Sequence, residues 1–469
     1  MRNNKQYFFV SIISFLILFI VLLGFYPGVV SYDGNNQWQQ VQREIITNGH
    51  PFFSTFFMLL LSKIWNSITV VVIYQILLMS VTWGYLCKTV ESNGKKQKII
   101  MYIFTVITML CPLISIYSIT VWKDTLYTLY LFLCAIILFD WSNNNYIFTI
   151  PKYCLFGLMI AMVYSYRYNG IIIAILILIM FYIINIRLYK RKVINKSNLK
   201  KCVCVFLSFI IIISAISIPK KILLESSNKK LIKESKKDIS YSTIDSYMVW
   251  MMGAHIKDGN ITDKNDIKFL NNIIPLKDWG NAYNPYLING TGFVENFDKK
   301  YLVKHSPKFE RIFIKYSTKY PLTIFNHYLK ADALLIDPLA SYHGYVYVYC
   351  FSGLWSLPDY TVIRPKINFV NRAYNKIIGY SMEKPLIMFY QPAFILYLSL
   401  FLTVLLAIKV YGKKIWLFSL PMILNIVSLL PINLAQDLRY VYINYLTFFG
   451  LLLMFFVNYK KIFKKSKKA

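Results

Sequence analysis

Acidic side chains are scarce in this sequence, and most of them lie in one segment. Of 469 residues, 21 are Asp or Glu, and 15 of these fall within residues 220–385. Charged residues form 16% of the chain, whereas about 25% is usual for soluble proteins. The charged residues outside this segment are too few to cover the surface of a globular protein. A soluble globular protein is therefore excluded.

Cysteines and the short motifs of common catalytic folds are also few. The long segment contains only Cys350, so no disulfide framework is expected. The sequence has no Walker motif, no glycine-rich dinucleotide loop and no Gly-x-Ser-x-Gly elbow. The histidines of the long segment lack the spacing of metal ligands: His255, His305, His327 and His343. We therefore expect no cofactor, and no metal site is indicated.

Apolar residues dominate instead and occur in long blocks. They form 57% of the chain, and the mean hydropathy is +0.47. The blocks are about 17–25 residues long, the length that a helix needs to cross the hydrocarbon core of a bilayer. They predict an all-α polytopic membrane protein with about ten transmembrane helices, near residues 7–27, 67–87, 98–118, 121–140, 153–166, 169–186, 202–219, 386–408, 415–432 and 440–458.

Three stretches of this pattern need separate interpretation. The first block has the polarity of a signal peptide, but it is long and no small-residue cleavage site precedes Tyr26-Pro27-Gly28, so we expect a retained helix. The fifth helix ends at Tyr166-Arg167, which predicts either a tight hairpin between two helices or a kink in one long helix. Residues 51–65 are too short to span comfortably and predict an interfacial amphipathic helix that begins at Pro51.

The net charge is +31, and many of the Lys and Arg residues cluster in short segments next to the apolar blocks. The proposed inner segments hold 23 Lys and Arg, and the short outer segments hold 5. This asymmetry predicts that both termini are cytoplasmic. No basic face interleaved with stacking aromatic residues is visible outside the blocks, so we expect no nucleic-acid partner.

The same patterns divide the chain into three parts. Residues 1–219 form an N-terminal transmembrane module whose first outer loop is 28–66, and residues 386–469 form the last helices and a basic cytoplasmic tail. Residues 220–385 are rich in Lys, Asn, Asp and Tyr, which predicts a small mixed extracytoplasmic domain with interfacial helices.

Six acidic residues lie outside residues 220–385. Glu91 and Asp140 fall at predicted inner helix ends. The other four fall in loops at the predicted outer face: Asp33, Glu44, Asp124 and Asp437. Because a charge at membrane depth is costly, acids that persist there commonly serve a site.

Two residues of the first outer loop are candidate catalytic groups. Asp33 precedes Gly34, so it is either a turn residue bonded to its own backbone or a carboxylate at a cavity mouth that acts as general base. We favour the base because of the surrounding acids. His50, just before Pro51, is either an exposed structural histidine or a member of the same site.

The start of the fourth helix and two arginines complete the predicted site. Asp124 either complements the helix dipole or makes a second polar contact in the cavity. Lys123 is either an interfacial anchor or a phosphate ligand. Arg167 and Arg439 either snorkel to the interface or hold a lipid phosphate, for which the planar guanidinium is well suited.

The order of these motifs resembles the GT-C class of polytopic membrane glycosyltransferases, in an uncharacterised bacterial branch. That class includes protein O-mannosyltransferases and the lipid A aminoarabinose transferase. The resemblance covers mainly residues 1–190 and more weakly 386–458, and it rests on Asp33 after the first helix, His50-Pro51, Lys123-Asp124, Arg167-x-Asn169-Gly170 and Arg439-Tyr440.

The resemblance implies an activity and its partners. The donor would be a polyprenyl-phosphate-linked sugar, and the acceptor an extracytoplasmic cell-wall polymer, glycolipid or protein at a bacterial cell membrane. Asp33 would match the first-loop catalytic carboxylate, Asp124 the second acidic position, and Arg167 and Arg439 the phosphate ligands. Many members carry paired acids in the first loop, whereas Gly34 and Asn35 follow Asp33 here. Base catalysis with inversion is therefore expected, rather than a metal-assisted variant.

Other functions remain open at the level of sequence. A flippase or a polysaccharide polymerase would also use outer arginines but would not need an Asp after the first helix. A secondary transporter should show paired halves and polar residues at mid-helix, which this sequence lacks. An inactive scaffold would show the same motifs.

Overall fold

The computed structural model describes residues 2–90, 94–233, 243–340, 362–381 and 386–463. Within these ranges the regular structure is helical apart from one pair of two-residue strands. The predicted all-α class is therefore confirmed. Glu91, His343 and Cys350, which the sequence analysis used, lie outside the described residues.

The chain divides into two compact units. The first comprises Met1–Lys230, Tyr347–Ser428 and Arg439–Ala469, and the second comprises Leu231–Val346 and Leu429–Leu438. The predicted segment 220–385 is therefore shared between the units, and the second unit also includes ten residues from the C-terminal part of the chain.

The first unit is built mainly from long apolar helices. Its α-helices, two of which end just beyond its boundaries, are α1 (Arg2–Gly24), α2 (Tyr32–Arg43), α3 (Phe52–Ile64), α4 (Thr69–Thr89), α5 (Lys95–Leu110), α6 (Pro112–Ile119), α7 (Lys123–Asn143), α8 (Ile150–Tyr166), α9 (Gly170–Lys190), α10 (Lys196–Lys201), α11 (Val203–Lys233), α20 (Asn368–Ser381), α21 (Pro392–Leu406), α22 (Ile415–Leu429), α23 (Tyr442–Val457) and α24 (Tyr459–Phe463). Shorter turns of 3₁₀ or π helix are Leu386–Tyr390, Ala407–Tyr411, Gly412–Lys414 and Leu438–Val441.

Seven segments of the described chain are long and apolar enough to cross a bilayer. They are Tyr7–Gly24, Thr69–Thr89, Lys123–Asn143, Gly170–Lys190, Lys196–Lys230, Pro392–Leu429 and Leu438–Val457. The bent pair α5 and α6 raises the number to eight. A multi-pass membrane protein is supported, and the number ten stays a prediction. The difference lies in α8, which has only 17 residues, and in Pro392–Leu429, which was predicted as two spans.

The predicted helix 98–118 is in fact broken. Helices α5 and α6 meet at Cys111 with a bend of 62°. Pro112 explains the break, because it has no N–H to donate and it disfavours helical backbone at the residue before it. Cys111 accordingly has an extended backbone (φ −59°, ψ 122°), and Pro112 opens α6 in the first turn, where no N–H is needed.

Helix α11 is much longer than the predicted 202–219. Its 31 residues run from Val203 to Lys233 with Pro219 inside. At about 1.5 Å per residue the helix exceeds the roughly 30 Å of a hydrocarbon core, so it extends past the apolar block that predicted it.

The first loop contains more helix than the sequence indicated. Residues 32–43 were predicted as loop but form α2, whereas α3 agrees closely with the predicted interfacial helix 51–65. The Ser31 side chain caps α2 by accepting a hydrogen bond from the Gly34 backbone N–H at 3.0 Å. This capping arrangement is a common start for a helix.

The second unit is helical in its described part, not mixed as predicted. Its helices are α12 (Thr243–Lys257), α13 (Lys264–Asn271), α14 (Leu276–Ala282), α15 (Asn289–Gly292), α16 (Lys299–Lys304), α17 (Ser306–Lys319), α18 (Pro321–Ala331) and α19 (Ala333–Ile336). One isolated antiparallel bridge joins Leu287 to Ala435. Aromatic residues form part of the core between these short helices, with Trp279, Phe309 and Tyr316 fully buried.

Two buried groups of the second unit have pKa values that are shifted in opposite directions. Burial, and then the neighbouring His255, lower the pKa of His327 to about 4. Burial raises the pKa of Asp332 to about 7. His327 lies beside Trp250, and its Nδ1 is 2.8 Å from the Tyr283 hydroxyl.

The stability that His327 contributes is expected to decrease as the pH is lowered. An unfolded histidine has a pKa of about 6.5, so between about pH 6.5 and 4 the unfolded chain binds a proton that the folded chain does not. A His327→Gln variant should therefore be less stable than the native protein at pH 7.5, and this difference in stability should become smaller at pH 5. Hydrogen exchange of α18, corrected for the intrinsic rate, measures the difference. An unchanged difference between pH 7.5 and 5 would assign the effect to another group.

Candidate functional site

Five charged side chains from four parts of the first unit meet in one cluster. Asp33 comes from the first turn of α2, Lys123 and Asp124 from the first turn of α7, Arg167 from the turn after α8, and Arg439 from the turn before α23. We call these five residues the ion cluster. The structure thus brings together residues that are up to 406 positions apart in the sequence.

Asp33 is the most exposed member of the ion cluster. Its Oδ2 accepts hydrogen bonds from Lys123 Nζ and from Arg439 Nη1, both at 2.8 Å. Its side chain is 24% exposed, so it can reach a ligand. Burial alone would raise the pKa of the Asp33 carboxyl, but Lys123 and Arg439 outweigh that effect and hold the pKa well below its usual range. Asp33 is therefore ionised at every physiological pH.

A short backbone pairing places Asp33 next to α7. Strand β1 (Val29–Val30) pairs in parallel with β2 (Thr120–Val121). Ser31 donates from its hydroxyl to the Val121 carbonyl at 3.3 Å. A side chain at position 34 would place its Cβ 2.3 Å from the same carbonyl, so Gly34 is required for this close approach.

Asp124 is the buried member of the ion cluster. Its side chain is 1% exposed, and its carboxylate lies 3.0 Å from Arg167 Nη1 and 3.9 Å from Arg439 Nη1. Lys123 Nζ lies 4.0 Å away. Because a buried carboxylate persists only when it is compensated by charge, Asp124 acts as the counter-ion that holds the two arginines together.

Aromatic rings surround the two arginines, and sequence reasoning missed them. The Arg167 guanidinium lies 4.5 Å from the Tyr440 ring centre and 5.4 Å from that of Tyr127. Arg439 lies 5.1 Å from Tyr440 and 5.6 Å from Trp122. These distances fit cation–π contacts. The sequence signal for these rings was their position next to predicted site residues, since Trp122 precedes Lys123 and Tyr440 follows Arg439.

Asparagine side chains hold these loops in place. Asn425 of α22 accepts a hydrogen bond from the Tyr127 hydroxyl and donates one to the Tyr440 carbonyl, both at 2.9 Å. Asn169 donates to Ser428 at 3.2 Å, which fixes the turn that carries Arg167. The stretch 166–170 is thus a tight connection between α8 and α9, one of the two arrangements that the sequence predicted.

His50 lies close enough to interact electrostatically with Asp33, Lys123, Asp124 and Arg439. Burial, followed by Lys123, lowers the pKa of His50 to about 4, so the ring is neutral at physiological pH. The hydroxyl of Tyr168 donates to the Asn48 carbonyl at 2.8 Å, which joins the His50 loop to the Arg167 turn. The structure therefore places all six predicted site residues in one neighbourhood, and their roles stay predictions.

The ion cluster carries one excess positive charge. Three cations and two carboxylates form it, and His50 adds no charge. Within the cluster, Asp33 occupies an ammonium and a guanidinium donor that a phosphate could use, whereas Asp124 pairs with the arginines by charge. The arrangement can therefore hold an anion by exchanging a carboxylate for a phosphate at the cations.

In comparisons with protein-family models, curated proteins and solved structures, nothing matches this chain.

Proposed function

We propose that this protein is a membrane glycosyltransferase that moves a sugar from a polyprenyl-phosphate donor to an extracytoplasmic acceptor of the cell envelope, with Asp33 as general base. The observation that carries the proposal is the ion cluster. It joins three cations and a partly exposed carboxylate at the ends of apolar helices. A lipid phosphate and a reacting hydroxyl would need this combination.

The cations supply the phosphate site in this proposal. A prenyl chain stays in lipid, so its phosphate must be bound at the membrane surface. Arg439 and Lys123 already share one carboxylate oxygen of Asp33. A phosphate that takes over these donors would be held at the place where negative charge develops as it leaves, which lowers the barrier.

Asp33 gains basicity through the same exchange. While Lys123 and Arg439 hold it, its low pKa makes it a weak proton acceptor. When the donor phosphate occupies those cations, the two stabilising contacts weaken and the pKa of Asp33 moves back towards its ordinary value. The general base would therefore be activated by the binding of its own substrate.

Asp33, Lys123 and Arg439 are sufficient to account for the proton and the leaving group of the reaction. The acceptor oxygen attacks the anomeric carbon and gives its proton to Asp33, and the bond from that carbon to the phosphate oxygen breaks. The polyprenyl phosphate leaves as an anion at Arg439 and Lys123. A single displacement inverts the anomeric centre. Asp124, which is 1% exposed, is assigned a positioning role towards Arg167 and Arg439.

The alternative is a flippase or polymerase that handles a lipid-linked sugar without Asp33 as base. The cationic members of the ion cluster favour it equally, because any handler of a lipid phosphate needs them. It differs in one respect, since only the transferase needs the Asp33 carboxylate to accept a proton.

The Asp33→Asn variant tests the proposal in the source cells. In a strain without the native gene, Asp33→Asn should fail to restore the sugar that the native gene restores to the extracted envelope polymers, as measured by mass spectrometry. The matched control is Glu44→Gln, a carboxylate of the same loop that pairs with Lys63 at the exposed surface. Full restoration by Asp33→Asn at equal protein level would reject the base and favour the alternative.

A further inference from the structure

A second polar site lies at the other end of the same helices. A cavity of about 650 Å³ opens where α4, α7 and α23 end and where α5 and α8 begin. Helix α7 starts with Lys123 and Asp124 of the ion cluster and ends at this cavity with Asn143. Its 21 residues span about 30 Å at 1.5 Å per residue, which is the thickness of a hydrocarbon core.

Four lysines line this cavity, and one carboxylate partly offsets them. The lysines are Lys88, Lys152, Lys460 and Lys461. Asp140 accepts hydrogen bonds from Lys152 Nζ at 2.8 Å, from the Tyr85 hydroxyl at 2.6 Å and from Asn144 Nδ2 at 2.9 Å. Asp140 is therefore committed to Lys152 and to its own helix.

The other three lysines keep their charge available. In the described ranges, no carboxylate lies within ion-pair distance of Lys88, Lys460 or Lys461. Among the described residues that line the cavity, the four lysines and Asp140 leave three excess positive charges around one concave space. Neutral hydrogen-bonding side chains complete the lining, among them Gln97, Asn143 and Asn458.

We propose that this cavity, which we call the lysine cavity, binds a phosphate-bearing anion at the membrane face opposite the ion cluster. The ligand is either the headgroup of an anionic phospholipid or a soluble phosphate compound. The volume falls within the range of about 300–1,000 Å³ typical of ligand sites. Basic cavities between transmembrane helices are suited to lipid phosphates, since the membrane surface supplies them at high local concentration.

A general attraction of lysines to an anionic membrane would not need a cavity. Lys413 and Lys414 provide the comparison, because they lie in a turn of the same unit but do not line the lysine cavity. Asp140 provides a second argument, since a carboxylate held by three donors fixes Lys152 at the cavity wall. This inference does not depend on the proposed glycosyltransferase activity.

The test uses the full-length protein in two arms. In the lipid arm, the protein in nanodiscs should retain short-chain phosphatidylglycerol in preference to phosphatidylcholine, as read by native mass spectrometry. In the soluble arm, inorganic pyrophosphate should raise the thermal unfolding midpoint of the detergent-solubilised protein. Binding in either arm supports the phosphate site and identifies its source. Equal retention of both lipids together with no effect of pyrophosphate overturns the proposal.

Paired variants locate the binding. A lysine that contacts the bound phosphate is expected to contribute a factor of about five in affinity, so Lys88→Gln with Lys460→Gln should weaken binding about 30-fold in the supporting arm. Lys461→Gln alone should weaken it about fivefold. Lys413→Gln with Lys414→Gln should change it less than about threefold. An equal loss in both double variants would mean that binding is not in the lysine cavity.

Discussion

Replacing Asp124 by Asn is expected to destabilise the protein by about 3–5 kcal/mol, because it leaves the charge of Arg167 without its buried partner. The carboxylate is 1% exposed and lies 3.0 Å from Arg167 Nη1. Asn has nearly the same shape, so the loss reports charge rather than packing. The measurement is the thermal unfolding midpoint of the purified protein in detergent, followed by its intrinsic tryptophan fluorescence.

Two further variants separate the buried pair from general effects of charge removal. Glu44→Gln breaks a pair with Lys63 in which the Glu44 and Lys63 side chains are 55% and 64% exposed, so its cost should be much smaller than that of Asp124→Asn. Asp124→Asn combined with Arg167→Gln should recover much of the lost stability, since the ion cluster then returns to the single excess positive charge of the native protein. Equal midpoints for Asp124→Asn and Glu44→Gln would show that the Asp124 contact contributes little.

Replacing Arg439 by Gln is expected to reduce sugar transfer by about 100-fold or more, the typical cost of removing one donor that stabilises developing charge. Like Lys123, Arg439 lies within ion-pair distance of both carboxylates of the ion cluster, at 2.8 Å from Asp33 and 3.9 Å from Asp124. Its loss should also weaken binding of undecaprenyl phosphate, which is the probe for the lipid carrier. Fluorescence anisotropy with a labelled carrier in detergent measures that binding.

The choice of control variants makes this prediction specific. Arg439→Lys keeps the charge but loses the planar fork, so it should recover only part of the binding. Arg187→Gln removes an exposed arginine at the end of α9 and should change neither binding nor transfer. If Arg439→Gln bound the carrier as tightly as the native protein, the phosphate role of Arg439 would be rejected.

Much of the ion cluster could be predicted from sequence because charges inside an apolar chain are rare. The few carboxylates outside 220–385 stand at the ends of apolar blocks, and helix ends at one membrane face can meet in space. Asp33, Asp124, Arg167 and Arg439 follow from this reasoning alone. The reasoning assumes only that successive apolar helices run in opposite directions, so that their ends alternate between the two faces.

Other features were missed because their signals are weak in a membrane sequence. Tyr127, Tyr440 and Trp122 surround the arginines, but aromatic residues are so frequent here that no single one stands out. Pro112 is a sequence signal for the bend at Cys111, but the apolar block continues through it and favours one straight helix. The second unit was predicted as mixed from its richness in Lys, Asn, Asp and Tyr, a composition that does not distinguish a mixed domain from short helices around an aromatic core.

The electrostatics of Asp33 changed the proposed mechanism most. The sequence predicted a general base at a cavity mouth, and the structure adds two cations that pair with Asp33 and hold its pKa well below the usual range. A base in this state must be released before it can act. The donor phosphate is the proposed releasing agent, so binding and activation become one step.

The affinity of undecaprenyl phosphate for the native protein and for Asp33→Asn tests this account most directly. The carboxylate of Asp33 competes with the phosphate for Lys123 and Arg439, so its removal should tighten binding while it abolishes transfer. Undecaprenol, which lacks the phosphate, should bind both proteins equally. Weaker or unchanged binding of undecaprenyl phosphate by Asp33→Asn would contradict the exchange of carboxylate for phosphate on which the account rests.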